Sequence, residues 1–287
     1  MSNMYVYLTT LTWYYFYMKL FKKQLQEERP VFIFGTGRSG TTLVQRIINT
    51  NADFAISGEH GGFLKGLAES YFYKDAPPFS GYLNNSDVYF IEKSEYLKNI
   101  KNPEKWTAWT NFFNEDIFVT QYRKFLYDIF ARVGVKRWGF KDILYGNDDQ
   151  VLEFLLDIFP KLKCIIVVRN PLDVILSRIE SFGHNRDNHE EMADRWVAQN
   201  MKYIALLKKY PDSFMYCRYE TLLQDKNISG VEDFLATKKP FDYESVLKVK
   251  IVNSAEKRID RDAVFTEHEN KRIKEITASV ANYFNYF

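Results

Sequence analysis

The chain is sparing with glycine. It has 13 in 287 residues, where a typical usage of ~7% would give about 20. It has only two cysteines, Cys164 and Cys217, too few for a disulfide framework. Both lie in apolar strand-like runs and read as buried thiols acting as small hydrophobes. The four histidines (His60, His184, His189, His268) make neither an HExxH nor a CxxC-linked pattern, so no structural or catalytic zinc is expected. An excess of one charge is also missing. The 39 Lys+Arg face 37 Asp+Glu, for a formal net charge of +2, which excludes a nucleic-acid binder that works by bulk charge. At 46% hydrophobic and 26% charged, the composition is globular and excludes disorder as the main state.

A membrane-crossing run is lacking as well. The most apolar stretch, residues 4–18 (MYVYLTTLTWYYFYM), would be about 22 Å long as a helix, short of the ~30 Å hydrocarbon core. It carries no small-residue cleavage pattern of a signal peptide. Its Tyr and Trp residues favour an interface over the bilayer centre. Residues 1–29 are therefore expected to form an aromatic helix. Three placements fit it: docked on the domain, in peripheral membrane contact through residues 4–21, or spanning, with Lys19, Lys22 and Lys23 on the cytoplasmic side. The expected location is cytoplasmic, with membrane association if that helix meets lipid.

Beyond residue 29, short apolar runs alternate with longer helical stretches, which predicts an α/β fold with a mainly parallel central sheet flanked by helices. Candidate strands are 31–35, 54–57, 137–141, 164–169 and 214–219. Candidate helices are 40–50, 148–158, 171–182, 190–209, 219–225 and 268–284. Continuous runs such as CIIVV suit strands buried on both faces. With no repeat and no low-complexity linker, residues 30–287 read as one domain. Residues 70–135, rich in aromatics (Tyr71, Phe72, Tyr73, Phe79, Trp106, Trp109, Phe112, Phe113), read as a partly helical insertion. Its rings line an acceptor pocket or fill a satellite core.

The scarce glycines are clustered. Seven of them (Gly35, Gly37, Gly40, Gly58, Gly61, Gly62, Gly66) fall within residues 35–66. Glycine permits positive φ and close backbone approach, so this stretch is the first candidate for a site. The run VFIFGTGRSGTTLVQRII (31–48) reads as strand, tight loop, helix. Gly35, Gly37 and Gly40 make GxGxxG, and Gly35 with Gly40, Thr41 and Thr42 nearly makes a P-loop. Both motifs aim backbone N–H groups and a helix N-terminus at phosphate. A P-loop kinase needs Lys after the last Gly; position 41 is Thr, and the cation is Arg38 inside the loop. A dinucleotide-binding oxidoreductase needs an acid about 20 residues on to hold the ribose; Asp53 and Glu59 keep that alternative open. A second segment, KCIIVVRNPLDVILSRIESF (163–182), ends a strand in Arg169 and starts a helix at Pro171, with Ser177 eight residues beyond the arginine. Arg is suited to forked contacts with phosphate. The two segments together suggest a nucleotide carrying phosphate at two positions.

GTGRSGTTL, VVRNPLDVILSR and RYETLLQD (218–225) resemble the sulfotransferase family, whose P-loop-containing members use 3′-phosphoadenosine 5′-phosphosulfate (PAPS). The run RSGTTLVQRIINTNADFAISGEH is most similar to protein-tyrosine sulfotransferases and bacterial-type relatives. The resemblance implies that Gly37, Arg38, Ser39, Gly40, Thr41 and Thr42 hold the 5′-phosphosulfate. Arg169 and Ser177 would hold the 3′-phosphate, and Tyr219 would lie near the adenosine. Ser254, Lys257 and Arg258 would belong to a basic loop over the nucleotide. It further implies that Glu59 is the general base, with His60 as the alternative base, and that Lys141 and Arg38 act on the transferring group. Asp142 would orient that lysine or cap the next turn. The product would be PAP, with no metal. The acceptor would be a tyrosyl, glycan, lipid or small-molecule hydroxyl.

Overall fold

A computed structural model of the chain describes residues 27–73, 89–91, 93–102, 104, 110–112, 114–131, 134–145, 149–182, 186–225, 230–249 and 264–287. Outside them lie residues 4–21, nearly all of the expected N-terminal helix, Phe79, Trp106, Trp109 and Phe113 of the insertion, and Ser254, Lys257 and Arg258. The described chain runs β1 (Val31–Gly35), α1 (Thr41–Ile48), β2 (Phe54–Ser57), α2 (Leu64–Phe72), β3 (Tyr89–Ile91), α3 (Lys93–Ile100), β4 (Thr110–Phe112), α4 (Glu115–Phe130) and β5 (Arg137–Asp142). It continues through α5 (Asp149–Ile158), β6 (Lys163–Val168), α6 (Pro171–Phe182), α7 (His189–Lys209), β7 (Phe214–Arg218), α8 (Tyr219–Asp225), α9 (Val231–Phe234), α10 (Tyr243–Lys248) and α11 (Glu267–Tyr283).

Five strands form one sheet in the order β2-β5-β1-β6-β7, with every pair parallel. Parallel strands need covering on both faces, and alternation along β1 supplies it. Val31 and Ile33 join one buried cluster with Val44 and Ile47 of α1, Leu222 of α8 and Val246 of α10. Phe32 and Phe34 join the opposite cluster with Leu64 of α2, Phe154 of α5, and Trp196 and Tyr203 of α7. Both cysteines are free and buried, one in each cluster; burial pushes the Cys164 thiol up, and that of Cys217 to about 12. At Gly139, where β5 lies beside β1, a methyl group would overlap the Val31 carbonyl.

This order places a switch point at the carboxyl ends of β1 and β6. The connection leaving β1 runs to β2 on one side, and that leaving β6 runs to β7 on the other. Ligands of open α/β sheets bind at such a crevice. Several expected boundaries shift by one or two residues. Two of these shifts touch site residues: the sixth strand ends at Val168 and the seventh at Arg218, so Arg169 follows its strand, and Tyr219, given to both a strand and a helix by the sequence expectation, belongs to the helix.

The insertion contains α3, the 16-residue α4 and a two-stranded parallel ribbon, β3–β4. Asn114 caps α4 by accepting from Ile117 N. Of the aromatics there, Tyr71 is buried against Phe118, Tyr122 and Phe154, so it extends the core, whereas Tyr73 is exposed. Among the described residues no helix is long and apolar enough to cross a membrane, and no group of three His, Cys, Asp or Glu is placed to hold a metal ion.

Candidate active site

The loop after β1 closes on itself: Ser39 N donates to Thr36 O (3.0 Å) and Leu43 N to Gly40 O (2.9 Å). Its shape demands unusual backbone. Arg38 has φ 73° and Gly40 has φ 98°, in the left-handed region that costs a non-glycine residue energy. A methyl group at Gly40 would also overlap the Tyr219 ring. Left-handed residues inside such a turn bring successive N–H groups to one concave side, and the first N–H groups of α1 adjoin them unbonded within the helix. Ser39 Oγ and Thr36 Oγ1 are buried here without hydrogen-bond partners. Beneath the loop, Gln199 Nε2 of α7 donates to Gly35 O (3.3 Å) and to Tyr203 OH (3.1 Å).

Arg38 and Arg169 meet at this loop. Arg38 Nε donates to Ser177 Oγ (2.8 Å), and Arg169 Nη1 donates to Arg38 O (3.1 Å). The Arg169 guanidinium lies 4.6 Å from the Tyr219 ring centroid, and its buried Nε has no partner. Burial and the neighbouring Arg169 charge hold the Arg38 guanidinium below its usual range. Two converging arginines and a buried orphan donor suit an oxyanion with more than one negative oxygen. Glu180 of α6 senses both arginines, but burial outweighs them and raises its carboxyl. Glu220 anchors the far side: its Oε1 accepts from Asn170 N and its Oε2 from Tyr286 OH, each at 2.8 Å.

A second cluster sits at the ends of β2 and β5. Lys141, beside Ile33 in register and only 7% exposed, forms an ion pair with Glu59. The Glu59 side chain is 40% exposed. The residues that follow Glu59 and Lys141 meet as well. His60 Nδ1 lies 3.1 Å from Tyr145 OH and 3.8 Å from Asp142 Oδ2. Tyr145 OH also accepts from Leu64 N (3.2 Å). The His60 ring packs on Phe63, Phe130, Phe140 and Tyr145, and burial lowers its pKa. Asp142 Oδ1 accepts from Leu144 N (2.7 Å); of its two expected roles, this is the turn cap.

The sequence-derived residues Arg38, Ser39, Gly40, Thr41, Arg169, Ser177 and Tyr219 thus converge on one crevice, and Glu59 meets Lys141 beside it. Asp53, the other candidate ribose acid, precedes β2 and pairs with Lys136 at the surface, at the opposite end of the sheet. Gly37 opens the loop, and Thr42 is exposed on α1. Glu180, Glu220 and Tyr286 escaped the sequence reading; RYE at 218–220 was a signal for Glu220 alone.

The family model described as the sulfotransferase family matches residues 30–235. A Caenorhabditis briggsae protein named as a putative protein-tyrosine sulfotransferase is 23% identical over 217 residues, 72% of this chain. The aligned region spans 65% of that relative's length. Two solved structures share the fold. The sulfotransferase domain from the curacin biosynthetic pathway has a TM-score of 0.52 at 17% identity, over 91% of this chain and 99% of that one. The sulfotransferase domain from the Synechococcus PCC 7002 olefin synthase has a TM-score of 0.53 at 18% identity, over 91% and 97%. With well over half of its length matched by the family model, the chain belongs to the sulfotransferase family.

Proposed function

We propose that the protein moves a sulfuryl group from PAPS to an acceptor hydroxyl by in-line displacement. The observation that carries this reading is the Glu59–Lys141 pair standing beside a loop on which Arg38 and Arg169 converge. The residues present fit the donor. Ser39 to Thr42 would hold the 5′-phosphosulfate with backbone N–H groups and hydroxyls, and the orphan Ser39 Oγ is an unused donor there, as the orphan Arg169 Nε is for the 3′-phosphate. Arg169 and Ser177 would take the 3′-phosphate, and Tyr219 would flank the adenosine. Ser254, Lys257 and Arg258 would close over it. When bound, PAPS supplies the sulfuryl group and a phosphate leaving group.

Glu59 takes the acceptor's proton as the new oxygen–sulfur bond forms and the old sulfur–oxygen bond breaks. To do so it must exchange its contact with Lys141. Lys141, released from that pair, and Arg38 then stabilise the negative charge spread over the sulfuryl and leaving oxygens. His60 holds the Glu59 turn against Tyr145 and faces the aromatic core. The acceptor is a hydroxyl compound. Exposed Phe63 and Leu144, on the turns just after Glu59 and Lys141, offer its body an apolar rest.

The test is thermal unfolding with PAP, PAPS, ATP–Mg²⁺ and NAD(P). A ligand at 100 times its Kd adds about 2.7 kcal/mol of stability. PAP and PAPS are expected to stabilise the protein; stabilisation by ATP–Mg²⁺ or NAD(P) alone would replace this reading with a kinase or an oxidoreductase.

A further inference from the structure

We propose that Arg178 is a further anion-binding residue of this site, holding an oxyanion over Gly37 on the β5 side of the loop. Ser177, the residue before it on α6, is bonded to Arg38. Arg178 turns elsewhere. A methyl group at Gly37 would lie 3.6 Å from Arg178 Nη2 and 3.5 Å from Ile143 Cδ1. The guanidinium therefore lies across the start of the loop, reaching from the β6 side towards the turn after Lys141.

Nothing among the described residues neutralises the guanidinium. Among the described residues it makes no hydrogen bond and no ion pair, although it is only partly exposed. Burial and the like charge of Arg195 hold it below its usual range. Arg195 is itself paired with Glu191, and Glu180 on the same helix senses Arg169 and Arg38. A half-buried, uncompensated charge costs stability. Here it stands over a glycine whose absent side chain leaves the space open, beside a loop already shaped for anions. An oxyanion placed there would accept from the free face of the guanidinium.

That oxyanion is either the sulfuryl group of the donor or an acidic group of the acceptor. The first source rests on the donor reading above; the second does not. Calorimetric titrations of wild type, Arg178→Met and Arg178→Lys separate them. If the donor is held, Arg178→Met weakens PAPS roughly tenfold or more and leaves PAP unchanged. If the acceptor is held, PAP and PAPS both stay, and binding of inorganic sulfate to the PAP complex falls by a similar factor. Arg178→Lys is expected to recover part of either loss. Ligand-free Arg178→Met should melt at the wild-type temperature or above, because it removes an unpaired charge. The proposal is overturned by equal weakening of PAP and PAPS, by three unchanged titrations, or by a lowered melting temperature. If wild type binds no PAP, the donor reading fails, and sulfate titrated onto the protein alone still decides Arg178.

Discussion

The two halves of the crevice are built differently. At the ends of β1, β6 and β7, side chains fasten backbone. Arg169 holds the Arg38 carbonyl, Glu220 holds the Asn170 amide, and the Tyr219 ring packs where a Gly40 side chain would be. At the ends of β2 and β5, Glu59 and Lys141 are joined by one partly exposed ion pair, and a methyl group at Gly58 or Gly61 would touch nothing within 4 Å. On the proposed function the first half would hold the donor, where a misplaced phosphate would misplace the sulfur. The second half, on the same reading, would admit an acceptor and let Glu59 change partners. Damage to the first should appear in affinity and stability, and damage to the second in turnover.

Glu59→Gln tests the second half most sharply. Losing the base should lower kcat by about 10²–10⁴ while PAP affinity, read by calorimetry, stays within about threefold. If PAP binding collapses too, the halves are not separable. Arg38→Ala should cross the divide. It removes a donor contact and the Ser177 link, so kcat/KM should fall by on the order of a hundredfold, shared between KM for PAPS and kcat; a pure kcat effect would remove Arg38 from the donor half. Gly40→Ala should destabilise the protein by about 1–3 kcal/mol in urea unfolding and abolish PAP binding. Gly66→Ala, within α2 and with open space around it, should instead stabilise by about 0.5–1 kcal/mol.

The smallest effect concerns His60. Its folded pKa lies below the ~6.5 of the unfolded chain, so as pH falls the unfolded state takes up the proton first. The stability that neutral His60 contributes is complete above about 6.5 and is lost below it. His60→Gln should flatten the decline in melting temperature between about pH 7 and pH 5.

Legibility in the sequence divides along the same line. The donor half is carried by contiguous motifs whose spacing reflects local geometry, so GTGRSGTT and the Arg169–Ser177 interval were readable, as were β1, β2 and α5 to α8 to within a residue or two. Glu59 and Lys141 were found through family likeness, since nothing in GEH or FKD announces that the two side chains meet across the sheet. Glu220 and Tyr286 are 66 residues apart, and only the folded chain brings them together. Arg178 follows Ser177 directly, but a helical spacing does not say where a long side chain bends. Within the insertion, Tyr71 looked like its neighbours and turned out to be core, a distinction set by the packing of α4 rather than by composition.

The strand order has a consequence for how such a protein can diversify. The chain from α2 to α4 leaves the sheet at its edge strand, β2, and returns at the adjacent β5. The strands β1 and β6 remain paired neighbours beyond that excursion. A change in its length or sequence can therefore leave β1 and β6 side by side, so that on the proposed function the acceptor side could vary while the donor side stays in place.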